Sequence, residues 1–299
     1  MNLDKILSEI EKQDPEVFDK LDTRRHAMKS FARIGGRLAL SAVPIALGSM
    51  FKKAYGQTPG ASTVLNVLNY ALTLEYLEAE FYATAVTKFS QIGVPAGAAQ
   101  AAITKIANDE TKHVNFLKTA ITTAYGASSV TPKPTFDFSG GNGSGTGPFA
   151  NAFSNYGLFL AVAQTFEDTG VRAYKGRAKE LTQGGDYLTA ALNIHSVEAR
   201  HAAHIRSMRF ALNESAGGSV SLVPGGVTVK PWITGSQSAI ASAAVQASYD
   251  GAVPESTTTQ AGIAITGIAT GINTTYATEA FDEPLTAAEV LAIVDPFIV

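Results

Sequence analysis

After Pro59 the chain settles into a helical rhythm. Leu65, Leu68, Leu72, Glu75, Ala79, Tyr82 and Val86 recur at alternating spacings of three and four, which places them on one stripe of a helix. A second stripe carries Ile103, Ile106, Glu110, His113, Leu117 and Ala120 and ends near Gly126, a suitable stop. From Ala127 to Pro148 the rhythm breaks. Pro132, Pro134 and the run Gly140 to Gly145 predict loop, and a connection this long suits a crossover along the outside of a bundle. A third stripe follows with Phe153, Tyr156, Leu160, Ala163, Glu167, Gly170, Tyr174 and Leu181. Gly170 is costly inside a helix, so a neighbouring backbone or ligand is expected to come close there. Beyond the turn signal Gly184-Gly185 the fourth stripe holds Tyr187, Ala191, Ile194, Glu198, His201, Ile205, Met208 and Leu212.

Past Asn213 the composition turns to Gly, Ser, Thr, Val and Pro. Short alternating pieces such as Val227-Thr228-Val229 suggest strands, and Thr286 with Glu289 has capping-box spacing for a short helix running to Val294. The predicted class is mainly α: a four-helix bundle at residues 61–212 with a long crossover between its second and third helices. A C-terminal accessory region of short strands, loops and one short helix follows at 213–299, and an N-terminal segment at 1–57 precedes the bundle.

Four predicted inward stripes each carry an acid, which creates a charge problem. A buried carboxylate is heavily penalised unless it is paired or bound to a cation, and no Lys or Arg shares these stripes. The pattern is also doubled. Glu75 is followed by Tyr82 and then by the pair Glu110 and His113; Glu167 is followed by Tyr174 and then by Glu198 and His201. Two helices giving one Glu and two giving Glu-x-x-His make up the ligand set of a dinuclear metal centre inside a four-helix bundle. Mixed carboxylate and imidazole ligation suits two iron ions, or alternatively two manganese ions, with positions left open for oxygen, peroxide or water. Glu110, His113, Glu198 and His201 are expected to hold the metals, with Glu75 and Glu167 bridging or terminating the pair.

The neighbours of these residues are open to more than one reading. Tyr82 and Tyr174 serve either as core residues or as groups that hydrogen-bond ligand carboxylates and buffer an electron. Asp109 either holds the ring nitrogen of a ligand histidine from an adjacent helix or faces solvent. Glu78 and Glu80 read as surface charges beside the first stripe, and His195 and His204 as edge or supporting positions beside the fourth.

Composition narrows the partners. With 45% hydrophobic and 16% charged residues the chain of 299 is globular, and a net charge of -3 offers no basic face for nucleic acid. The absence of cysteine leaves oxygen and imidazole nitrogen as metal donors. Near the N-terminus, Arg24-Arg25 precedes an apolar stretch from Leu38 to Met50 and the small-residue pattern Ala54-Tyr55-Gly56, which looks like a twin-arginine export signal. The expectation is an exported, periplasmic protein, tethered to a membrane only if that segment stays uncleaved. A cytoplasmic protein with an amphipathic N-terminal helix is the alternative.

Residues Thr63 to Leu212 resemble the ferritin-like superfamily, and specifically its exported bacterial ferritin-like domain proteins. The resemblance rests on Leu74 to Tyr82, Asp109-Glu110-Thr111-Lys112-His113, Phe166 to Gly170 and His195 to His201. It implies a di-iron or di-manganese site at the six ligands and an activity that oxidises ferrous iron, reduces hydrogen peroxide or activates oxygen. Oxidative-stress protection is the leading expectation. A metal site that only stabilises the bundle, and manganese catalase-like peroxide removal, are the alternatives. A homo-oligomer is compatible with the family, but the region beyond Asn213 lies outside the shared bundle and argues against inferring a storage cage.

Overall fold

Four long helices carry the predicted stripes: α1 (Ala61–Thr87), α2 (Ala98–Tyr125), α3 (Tyr156–Ala178) and α4 (Asp186–Ser215). The computed structural model describes residues 61–182, 185–216 and 227–299, so the arginine pair and the apolar run of the N-terminal segment lie outside the described residues. α1 packs on α2 and α3 on α4, which makes two hairpins joined by the crossover. Local chemistry sets the helix ends. Asn155 caps α3 by accepting from the Leu158 N–H, and Lys175 and Arg177 lie in its last turn, where cations favour the negative end of the dipole. α2 stops at Gly126, whose φ of 91° is open to glycine and strained for other residues.

The core between the hairpins is aromatic. Phe81 stacks on Phe159 with ring centroids 5.1 Å apart and meets Phe166 edge-on at 5.1 Å. The crossover runs along α1. The Asn69 side chain accepts from the Thr131 N–H and donates to the Ser129 carbonyl, while Phe138 packs on Phe81.

The C-terminal region covers the back of the second hairpin. It contains helix α5 (Ala287–Val294), started by the expected capping box of Thr286 and Glu289, and a small antiparallel pair, β1 (Thr259–Gln260) with β2 (Ile263–Ala264). Single helical turns at Ala243–Gln246 and Thr274–Thr278 were not visible in the periodicity, because so short a run shows no repeat. Val227-Thr228-Val229 forms no strand: Val229 is buried as an anchor, and no neighbouring chain among the described residues pairs with it.

Every residue of α3 from Phe159 to Tyr174 is buried. One face meets the other helices. On the opposite face Gln164, Asp168 and Arg172, spaced four apart, meet the tail. Tyr249 donates 2.7 Å to Asp168, and the Arg172 guanidinium donates to the carbonyls of Ser248, Asp250, Val253 and Glu283 and pairs with Glu255 at 2.9 Å. A Cβ on Gly176 would lie 1.8 Å from the Leu285 carbonyl oxygen, so the tail backbone needs a glycine there. No helix among the described residues is long and apolar enough to cross a membrane.

Candidate metal centre

Each of the four helices contributes inward acids to one point in the bundle. Glu75 comes from α1, Glu110 and His113 from α2, Glu167 from α3, and Glu198 and His201 from α4; the four glutamates are fully buried and both imidazoles nearly so. The pairs on α2 and α4 share a face because residues three apart on a helix are neighbours.

The arrangement around the ring nitrogens is the telling feature. His113 Nδ1 lies 3.1 Å from Glu75 Oε2, 3.1 Å from Glu110 Oε2 and 3.1 Å from Glu198 Oε1. His201 Nδ1 lies 2.8 Å from Glu110 Oε1 and 3.4 Å from Glu167 Oε2. One ring nitrogen carries at most one proton and can serve only one of these oxygens properly. Glu110 Oε1, Glu167 Oε2, both Glu198 oxygens and His201 Nδ1 are accordingly buried with no hydrogen-bond partner, although several stand at ion-pair distance. The distances and the missing hydrogen bonds are reconciled if the lone pairs converge on a shared space instead of on one another. Donors bound at ~2.1 Å to a single cation stand about 3 Å apart, which is the spacing found.

The donors fall into two sets of four, each with one atom per residue lying within 4.8 Å of the others. Glu75, Glu110, His113 and Glu198 form the first; Glu110, Glu167, Glu198 and His201 form the second. Glu110 and Glu198 belong to both sets. Glu75 and Glu167 belong to one each, an arrangement that suits the terminal role left open for them over the bridging one.

Residues 63–211 match the ferritin-like domain family. This part of the chain belongs to the ferritin-like domain family. No curated protein matches it.

Within this ferritin-like bundle, burial and mutual proximity shift the acids and imidazoles strongly. Burial pushes Glu75 up to about 7 and holds Glu198 well above the usual carboxylate range, with neighbouring acids adding to the effect on Glu198. For Glu110 burial acts upward too, but the adjacent imidazoles of His113 and His201 outweigh it and bring the group down to about 2. Burial opposes charge on His201, yet Glu167 and Glu110 raise it to about 11; His113 is raised in the same way by Glu110, Glu198 and Glu75.

The two tyrosines cross the bundle. Tyr82 on α1 donates to Glu167 Oε1 of α3 at 2.6 Å, and Tyr174 on α3 donates to Glu75 Oε1 of α1. Of their two possible roles, hydrogen bonding to site carboxylates is the one the geometry contains. Each phenol steadies the carboxylate belonging to the other's helix.

Asp109 sits at the solvent edge of the centre. Lys105 and Lys112 hold it from the same helix, and its Oδ2 lies 3.5 Å from His201 Nε2, the outward nitrogen of that ring. That distance is the long limit of a hydrogen bond, so Asp109 aligns the imidazole by charge more than by a formed bond. Burial acts to raise Asp109, but the lysines outweigh it and lower it to about 2. Beside it opens a cavity of about 260 Å³, lined by Lys105, Asp109, Val197, Arg200, His201 and His204 among others. His204 is exposed at this mouth, whereas His195 is half-buried beside the Val171 backbone of α3 and belongs to neither donor set.

Glu78 corrects the sequence reading. Expected as a surface charge, it is 3% exposed and faces the other site acids, while its neighbour Glu80 does lie at the edge and pairs with Lys133. The available signal was its spacing of three from Glu75, which puts both on one face. What the spacing alone does not reveal is the room for it, which Gly170 of α3 provides.

Proposed function

We propose that this ferritin-like domain is a dinuclear metal-carboxylate protein, most suited to iron, that oxidises its metal pair with oxygen or hydrogen peroxide and protects against oxidative damage. The observation that carries the reading is His113 Nδ1 at 3.1 Å from three separate carboxylate oxygens. Four carboxylates balance two divalent cations, and with imidazole they form a donor set fit for iron or manganese.

A bound iron pair would supply the electrons for reduction of oxygen or peroxide. The chain's own contribution is placement. Glu110 and Glu198 would serve both ions of such a pair, Glu75 with His113 would hold one, and Glu167 with His201 would hold the other. Tyr82 and Tyr174 keep the end carboxylates aimed, and the aromatic core around Phe81 excludes water on that side. The cavity at Asp109 and His204 is the route for a small oxidant from solvent. Export by the twin-arginine route would fit this reading, since that route carries folded proteins and would let the bundle load metal before leaving the cytoplasm.

Anaerobic reconstitution with ferrous iron followed by stopped-flow mixing with oxygen tests the activity. A fast absorbance change that disappears in Glu110→Ala supports it, and fewer than one metal ion per chain after reconstitution overturns it. Metal-dependent thermal stability without any such change would leave the centre as a structural clamp. Oxygen release from peroxide by manganese-loaded protein would instead assign catalase-like chemistry.

A further inference from the structure

Glu78 lies three residues after Glu75 on α1, and Gly170 lies three residues after Glu167 on α3. Since each is followed by its tyrosine four residues later, the two positions are counterparts in the doubled pattern. One is an acid; the other has no side chain. A Cβ built on Gly170 would stand 3.2 Å from Glu78 Oε1 and 3.5 Å from Glu198 Oε2, so the carboxylates of Glu78 and Glu198 both border the space that the missing side chain leaves.

Among the described residues no Lys or Arg pairs with this acid. The side chain is 3% exposed, and the charges nearest to it are Glu198, Glu167, Glu110 and Glu75. Both oxygens of Glu198 are also buried without a hydrogen-bond partner. A small cavity of about 10 Å³, lined by Leu74, Leu77, Glu78, Phe166, Thr169 and Gly170 among others, adjoins the Glu78 side chain.

We propose that Glu78 is a fifth carboxylate of the metal centre, a ligand that reaches the pair beside Glu198 through the gap at Gly170. The proposal rests on the dinuclear reading above and deepens it. Four carboxylates neutralise two divalent ions, so a fifth suits a centre that carries more positive charge, as a pair of trivalent ions does. The preferred ligand class is therefore a hard cation of high charge, and the centre is asymmetric: α1 supplies two carboxylates where α3 supplies one.

The test uses the full chain as wild type, Glu78→Gln and Gly170→Ala, each first shown to be folded by circular dichroism. Cobalt(II) is the probe, read by competition titration and by its visible absorption bands. The glutamine variant removes the charge while keeping the shape; the alanine variant keeps the charge but crowds the carboxylate with a methyl group 3.2 Å from Glu78 Oε1. Both are expected to bind cobalt with about 10-fold or greater loss of affinity at one of two sites and with altered bands, and the iron-loaded Glu78→Gln protein is expected to show a higher reduction potential. Should wild type bind two ions while both variants match it in affinity and bands, the fifth-ligand proposal is overturned and the dinuclear reading stands. Failure of wild type itself to bind cobalt or iron would overturn the dinuclear reading, and this proposal with it.

Discussion

Tyr82 on α1 donates a 2.6 Å hydrogen bond to Oε1 of Glu167 on α3. The bond ties the two hairpins together at the depth of the centre, with both partners fully buried. Removing the hydroxyl in Tyr82→Phe leaves a buried acceptor without its donor, at a cost of about 1–3 kcal/mol. Chemical denaturation of the metal-free protein reads that loss. A difference from wild type below ~0.5 kcal/mol, within the range of ordinary surface substitutions, would contradict it.

The sharing of donors predicts unequal effects of single substitutions. Glu110 belongs to both donor sets and Glu75 to one. Glu75→Ala is expected to keep about one ion per chain, and Glu110→Ala to lose both, since a bridging carboxylate serves two cations. Elemental analysis after reconstitution and desalting decides this, and equal losses in the two variants would refute the assignment.

Stability of the metal-free protein should fall as pH rises. Glu75 has a folded value raised to about 7 from 4.5, so the folded state holds a proton that the unfolded state has released. Its contribution is complete below pH 4.5 and is lost as pH rises through 7, a change of ~3 kcal/mol if the shift is fully expressed. The raised His201 acts in the same direction at higher pH, losing its contribution through about 11. Thermal unfolding after chelation is expected to show a lower midpoint at pH 8 than at pH 5. Metal should lift the midpoint more at pH 8, because cations then replace the missing protons. A flat profile would count against the convergent acids.

Arg172 should hold the tail on the bundle. Its guanidinium is 2% exposed and serves four backbone carbonyls and the Glu255 carboxylate. Arg172→Ala leaves these acceptors and a buried acid unpaired, a loss of about 3–5 kcal/mol. Limited proteolysis is expected to cut the variant first between residues 227 and 299. Cleavage at the wild-type rate would show that the region docks by other contacts.

Much of the centre was legible in the chain because a helix repeats its faces at short spacing. Glu75, Glu110, His113, Glu167, Glu198 and His201 declare themselves as polar residues on apolar stripes, and Gly170 declares that something comes close. The capping box at Thr286 could be read for the same reason, since both partners lie within one turn. Contacts between elements carry no such local mark. Gln164, Asp168 and Arg172 look like a polar helix face, and only the tail laid over them turns that face into a buried network.

The sequence by itself determined the four helices, the crossover and the six convergent donors, because all of these follow from periodicity and from the cost of burying charge. Tertiary structure decided which carboxylates belong to both donor sets, that each tyrosine serves the opposite helix, and that Glu78 lies inside. Those facts depend on how far one helix stands from another and on where a side chain is missing. Neither distance nor vacancy is written into the spacing of residues along one strand of chain.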